Sequence, residues 1–79
     1  MARSREDEVH DLSESDRHIA ESERRIMHQA ALVEELRRRG LDATEAERML
    51  SSFKDVLETM HAHRALIVDV IRSIDAGLI

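Results

Sequence analysis

The segment Gly40-Leu41-Asp42-Ala43-Thr44 constrains the fold most, because it is the one strong helix-breaking signal between residues 8 and 76. Helical patterning runs up to this segment and resumes after it. The chain contains no proline, and residues with high helix propensity dominate on both sides. We therefore predict two long helices that fold back on each other at this segment.

The residues of this segment also predict how one helix ends and the next begins. Gly40 fits the position after the last turn of a helix, where glycine adopts the left-handed backbone conformation freely. Asp42 with Glu45, or Thr44 with Glu47, fits a capping box at the start of the second helix. Both boxes stay open, and Gly40, Asp42 and Thr44 are the predicted turn residues.

The chain length of 79 residues allows one domain. We predict helix 1 over about residues 8–39, the turn at 40–43 and helix 2 over about residues 44–76, all within a single domain of residues 8–79. Residues 1–7 are charged and lack an apolar anchor, which predicts a flexible N-terminal arm.

A seven-residue repeat in helix 1 predicts the face that packs against helix 2. Leu12, Ile19, Ile26 and Val33 recur at position d of this repeat. The predicted a positions are apolar at the start but acidic in the middle of the helix. They are Val9, Asp16, Glu23, Ala30 and Arg37.

Helix 2 has the more regular repeat, in which a single charged residue, Arg64, interrupts an apolar seam. Its d positions are Ala46, Phe53, Met60, Ile67 and Ile74, and its a positions are Leu50, Leu57, Arg64, Ile71 and Leu78.

Antiparallel pairing of the two seams matches residues whose numbers add to about 83. Ala30 then faces Phe53, and Arg64 falls between Asp16 and Glu23. We therefore predict a buried polar layer in which Arg64 pairs with Asp16 or Glu23 and fixes the register of the helices.

Helix 2 carries more apolar surface than one seam uses, which predicts association of two copies. A chain of this length rarely stabilises itself by more than about 3–5 kcal/mol from its own core. The predicted fold is therefore an all-α antiparallel two-helix hairpin, similar to a coiled coil, that forms a homodimeric four-helix bundle. The predicted dimer interface consists of Met49, Val56, His63, Leu66 and Val70.

Catalytic and cofactor-binding motifs are missing from the sequence, so we expect neither an enzyme nor a cofactor. The chain has five histidines and no cysteine. His61 and His63 point about 200° apart on a helix, and the pair Glu58 and His61 lies on the flank of the seam, so a metal-binding bundle is only the lesser alternative. His63 at the interface is either a pH switch or a partly exposed histidine without a switching role.

The net charge of −5 disfavours nucleic acid as the main partner. Our first hypothesis is a protein–protein interaction or regulatory module with an unidentified protein partner. The alternative is an RNA-binding hairpin dimer that uses a set of basic side chains. These are Arg24, Arg25, Arg37, Arg38 and Arg39.

The N-terminal residues do not resemble a signal peptide, since acidic residues and no apolar run follow Met1-Ala2-Arg3-Ser4-Arg5. No apolar stretch exceeds four residues. The one at Ala65-Leu66-Ile67-Val68, for example, ends at Asp69 and is too short to span a bilayer. We expect a cytoplasmic protein with no membrane partner.

Residues 16–67 resemble a group of short, uncharacterised alphaproteobacterial helical-hairpin proteins. The resemblance is carried by an R-H-I-A-E-x-E run from Arg17, a G-x-D turn at Gly40 and an H-x-H-R run from His61. The group usually has threonine where this chain has Ala43. The resemblance implies a helical hairpin and no particular activity.

Overall fold

A computed structural model describes residues 3–79 and shows two long α-helices packed against each other in opposite directions. The first helix, α1, spans Arg5–Arg38, and the second, α2, spans Thr44–Asp75. Residues 3–79 contain no strand. The molecule measures 59 × 20 × 15 Å, as expected for two helices side by side at about 1.5 Å per residue. The predicted all-α two-helix hairpin is confirmed.

The start of α1 corrects the predicted helix boundary. The Ser4 hydroxyl accepts a hydrogen bond from the Asp7 backbone N–H at 3.2 Å, and the Asp7 carboxylate accepts one from the Ser4 N–H at 3.2 Å. This reciprocal pair is a capping box, which satisfies N–H groups that the first turn leaves unpaired. The predicted flexible arm is therefore wrong for residues 3–7, and α1 begins at Arg5. Residues 1–2 lie outside the described part of the chain.

Both helices end at a glycine in the left-handed conformation. Gly40 has φ +70°, its N–H donates to the Arg37 carbonyl at 3.0 Å, and the Leu41 N–H donates to the Leu36 carbonyl at 2.8 Å. This is a Schellman motif, which satisfies the last carbonyls of a helix. The same arrangement recurs at Gly77, where φ is +73°.

The start of α2 differs from both predicted capping boxes. The N-cap residue is Ala43, whose side chain makes no capping hydrogen bond. Asp42 lies one residue too early to cap the helix, and its carboxylate instead accepts from the Thr44 N–H at 3.0 Å and from the Thr44 hydroxyl at 2.7 Å. These bonds hold the pKa of Asp42 below its usual value. Ala43 is itself buried, so a small apolar residue packs where a polar cap was expected.

The inward face of α2 follows the predicted seam. Ile67 is buried, and Leu50, Phe53 and Leu57 are half-buried. Leu78 is different, because α2 ends at Asp75 and leaves this leucine exposed.

The inward face of α1 is rotated relative to the prediction. Ile19 and Val33 are buried as the repeat predicts, but Asp16 and Glu23 are exposed. The positions immediately before them are buried instead. The buried residues of α1 are Glu8, Ser15, Ile19, Ser22, Gln29 and Val33.

The rotation has a physical reason, since burying a carboxylate without close partners costs far more than burying a hydroxyl. Ser15 and Ser22 take the inward positions that the prediction assigned to Asp16 and Glu23. Among residues 3–79, no buried side-chain nitrogen or oxygen lacks a hydrogen-bond partner. The buried Gln29, for example, donates its amide N–H to the Ala46 carbonyl at 2.9 Å.

Candidate functional site

One flank of the hairpin is closed by three ion pairs between α1 and α2, and we call it the ionic flank. Asp16 and Arg37 of α1 are separated by three whole heptads, and Glu47 and Asp75 of α2 by four, so each pair of positions lies on one side of its helix. The nitrogen–oxygen distances are 2.6–2.7 Å. The pairs are Arg5 with Asp75, Asp16 with Arg64, and Arg37 with Glu47.

The pair of Arg64 with Asp16 replaces the predicted buried polar layer. Arg64 Nε donates to Asp16 Oδ1 at 2.6 Å, but the two side chains are 40% and 54% exposed, and Glu23 is exposed too. The prediction of burial was therefore wrong, because α1 turns its serines inward and leaves its carboxylates at the surface. An exposed pair of this kind contributes about 0–1 kcal/mol.

The same pair shows which partner Arg64 has. Arg64 was predicted to pair with Asp16 or Glu23, and in the structure it contacts Asp16. The contact links the two helices at the surface of the ionic flank.

A groove of about 620 Å³ opens between the helices away from the ion pairs. It continues toward the turn as a smaller depression of about 200 Å³, which shares His18, Val56 and Met60 with it. We call the larger space the groove. Its lining residues are Asp11, Glu14, Ser15 and His18 of α1, and Asp55, Val56, Thr59, Met60 and His63 of α2.

The groove exists because α1 presents small side chains where α2 presents larger ones. Ser15 lines the groove, and Ser22 lines its smaller continuation. A serine leaves space that a leucine or isoleucine at the same position would fill. Met60 therefore stays half-buried and Val56 is 49% exposed, so the floor of the groove is apolar.

The rim of the groove is polar and carries both acidic and histidine side chains. Glu14 Oε2 lies 4.0 Å from His18 Nε2. The Arg17 guanidinium donates a hydrogen bond to Glu14 and holds the pKa of that carboxyl below its usual value. Asp11 is paired with Arg3. Arginines close by in the sequence, Arg3 and Arg17, therefore already neutralise part of this acidic rim.

The described residues do not assemble a metal site. Among residues 3–79, no three His, Asp or Glu side chains are grouped so that they could hold a metal ion. His61 is exposed, as is the groove residue His63. The metal-binding bundle therefore gains no support from the arrangement of these side chains.

The residues predicted for a dimer interface lie on the outer surface of α2. Met49, Val56 and Leu66 are 51%, 49% and 64% exposed. His63 is exposed and Val70 is half-buried. Val56 and His63 line the groove, so the predicted interface and the groove share part of one surface.

The arginines proposed for RNA binding are only partly available. Arg37 pairs with Glu47 at 2.7 Å, and Arg38 pairs with Glu35. Arg24, Arg25 and Arg39 are exposed. The RNA-binding alternative stays a prediction, with two of its five arginines already engaged within the chain.

The sequence did not predict the groove, although it contains a signal for it. The residues immediately before the predicted a positions form a seven-residue series of their own. In the middle of α1 the members of this series are small and neutral. A seam that pairs large with small side chains leaves space on one side. The recurring residues are Glu8, Ser15, Ser22, Gln29 and Leu36.

The chain matches no known protein family, no curated protein and no solved structure in the comparisons made with each. The resemblance to the alphaproteobacterial hairpin proteins therefore stays a prediction. Neither helix of the described part of the chain has an apolar stretch long enough to cross a membrane.

Proposed function

We propose that this chain is a small non-catalytic module for protein–protein interaction or regulation and that it acts as a homodimer. One observation carries the proposal: Met49, Val56 and Leu66 present about half or more of their surface to solvent along one side of α2. Large apolar side chains that recur on one exposed side of a helix are expected to be covered by another molecule.

The thin core of the hairpin supports the same proposal. Within residues 3–79 the buried apolar side chains are Ile19, Val33, Ala43 and Ile67, and no side chain is completely removed from solvent. Two helices bury one stripe each, and a small core of this size contributes little net stability. A second hairpin packed against α2 would convert half-buried residues into core residues of a four-helix bundle.

The non-catalytic part of the proposal rests on the sequence. The chain has no cysteine nucleophile, and its two glycines, Gly40 and Gly77, both end helices. Neither is part of a glycine-rich phosphate-binding loop.

Sedimentation equilibrium of a Leu66→Ser variant tests the proposal. We expect the dissociation constant of the dimer to rise about 100-fold, because each buried leucine contributes roughly 1.5 kcal/mol and a symmetric dimer contains two. Met27→Ser is the matched control, since Met27 is 68% exposed on α1 and lies outside the proposed interface. Its dissociation constant should stay within about threefold of the natural chain.

The oligomeric state of the natural chain tests the homodimer directly. A protein that sediments as a monomer at every concentration up to the millimolar range contradicts the homodimer. Equal weakening by both substitutions would place the interface elsewhere.

A further inference from the structure

We propose that the groove receives a second copy of this chain, whose α2 lies antiparallel to the first α2 and seats its Leu66 beside Val56. This proposal rests on the homodimer proposed above and adds the orientation, the register and the residue that fills the groove.

The outer surface of α2 carries a second seam that runs along most of the helix. Its members alternate at spacings of three and four residues, the spacing that keeps side chains on one stripe of a helix. Three of them, Val56, Thr59 and His63, line the groove. The second seam consists of Met49, Ser52, Val56, Thr59, His63, Leu66, Val70 and Ser73.

Symmetry limits how two such seams can pair. In a two-fold dimer the same surface is used by both copies, so each contact occurs twice. The second seam alternates between two heptad positions, one of which includes Val56 and the other Leu66. Antiparallel pairing of two such seams places each of these heptad positions opposite the other. The register that covers every large apolar member also places large residues opposite smaller ones, as interdigitated packing favours. Its pairs are Met49 with Ser73, Ser52 with Val70, Val56 with Leu66, and Thr59 with His63.

The neighbouring registers are less favourable for identifiable reasons. Sliding one helix by a heptad in one direction pairs Met49 with Leu66 and brings Glu45 opposite Val70, so a carboxylate enters the seam. Sliding it in the other direction carries Met49 past Asp75, the last residue of α2. The proposed register is the one that avoids both.

The groove has the shape and chemistry to accept Leu66 of the second copy. Val56 and Met60 form an apolar floor, and Ser15 leaves room on the α1 side. Leu66 is 64% exposed and does not line the groove of its own hairpin. Insertion of this leucine into the neighbouring groove removes apolar surface from both copies at once.

The ionic flank is unsuited to the same contact. Covering it would remove water from the ion pairs Arg37–Glu47 and Asp16–Arg64, and the desolvation of paired charges offsets much of what burial contributes. The groove flank carries its ion pairs, Glu14–Arg17 and Asp11–Arg3, at the rim. Its floor is apolar and only half-buried. The second copy therefore packs on the groove flank.

Disulfide cross-linking between single-cysteine variants tests the register, because the natural chain has no cysteine. Val56→Cys and Leu66→Cys proteins are mixed in equal amounts and oxidised. We expect the mixture to form at least about ten times more linked dimer than either variant alone, since a disulfide requires Cα atoms within about 7 Å. Like positions lie about 15 Å apart along the helix in this register.

A second pair and two controls make the result decisive. Ser52→Cys mixed with Val70→Cys should link in the same way, because these positions face each other in the neighbouring pair of the seam, farther from the two-fold axis. Met27→Cys mixed with Val56→Cys should stay unlinked. Linking of Met49→Cys to Leu66→Cys instead would overturn the register.

Sedimentation of the same samples separates the two proposals. A dimer that links neither Val56→Cys to Leu66→Cys nor Ser52→Cys to Val70→Cys overturns this arrangement while the homodimer stands. A protein that remains monomeric overturns both.

Discussion

The two flanks of the hairpin differ in how they are closed. The ionic flank is bridged by long charged side chains of both helices, as in the pairs Arg5–Asp75 and Asp16–Arg64. The groove flank stays open because Ser15 is too short to cover Val56 and Met60. The two helices therefore cover each other on one flank only and leave apolar surface on the other.

The two flanks also differ in what their contacts contribute, since ion pairs align the helices and apolar contacts stabilise the fold or an assembly. Exposed ion pairs contribute little energy, but wrong pairings of charges are unfavourable, so such pairs select one register of the helices. Apolar surface contributes in proportion to the area removed from water, whichever molecule covers it. The ionic flank therefore suits a role in aligning the hairpin, and the groove flank suits association.

The largest expected effect is on the groove flank. Val56→Asp should weaken the dimer on the order of 1000-fold, because each copy would bury an unpaired carboxylate at the seam. His61→Asp introduces the same side chain at an exposed position of the ionic flank. It should leave the dissociation constant within about threefold. Sedimentation equilibrium measures both, and equal effects would break the distinction between the flanks.

A smaller effect is expected from Arg64→Leu on the ionic flank. The variant loses the hydrogen bond to Asp16, an exposed pair that contributes at most about 1 kcal/mol, and it gains apolar packing in the seam. The free energy of unfolding in urea should change by less than about 1 kcal/mol, and the dimer should persist. A loss on the order of 3–5 kcal/mol would show instead that the pair behaves as a buried one.

The smallest effect concerns acid. The hydrogen bond from Arg5 holds the pKa of Asp75 below its usual value. A carboxyl group whose pKa falls on folding stabilises the protein above its unfolded pKa, about 3.9, and loses that contribution as the pH falls further. The thermal midpoint measured by circular dichroism should therefore drop between pH 5 and about 2.5.

Asp75→Asn tests the cause of this drop. The variant lacks the titrating group, so its thermal midpoint should depend less on pH over the same range. The difference between the two proteins should shrink in about 1 M NaCl, since exposed charges are screened there. Identical acid profiles would exclude Arg5–Asp75 as a contributor.

The sequence predicted α2 better than α1 for a reason visible in the residues. In α2 both seam positions are apolar, so Leu50, Phe53 and Leu57 identify one inward face. In α1 only one seam position is apolar, the one occupied by Ile19 and Val33. The other position could fall on the acidic series that contains Asp16 or on the serine series one residue earlier, and periodicity alone does not choose.

The boundaries of the helices show the same contrast between local and distant causes. Gly40 ended α1 as predicted, because the left-handed conformation is a property of the residue itself. The capping box of Ser4 and Asp7 is equally local, but the charged residues around it lack the apolar pattern from which a helix start is predicted. The cap at Ala43 was not predictable from local rules, since that alanine is selected by burial against the rest of the hairpin.

The sequence by itself determined that this chain forms two long helices, where the turn between them lies and which face of α2 points inward. These features follow from backbone preferences and from an apolar repeat in α2 that only Arg64 interrupts, which act over a few residues. Only the tertiary structure decided which face of α1 meets α2, because that choice compares the burial of Ser15 and Ser22 with the burial of Asp16 and Glu23. Burying small neutral side chains costs less, and the space they leave is the groove.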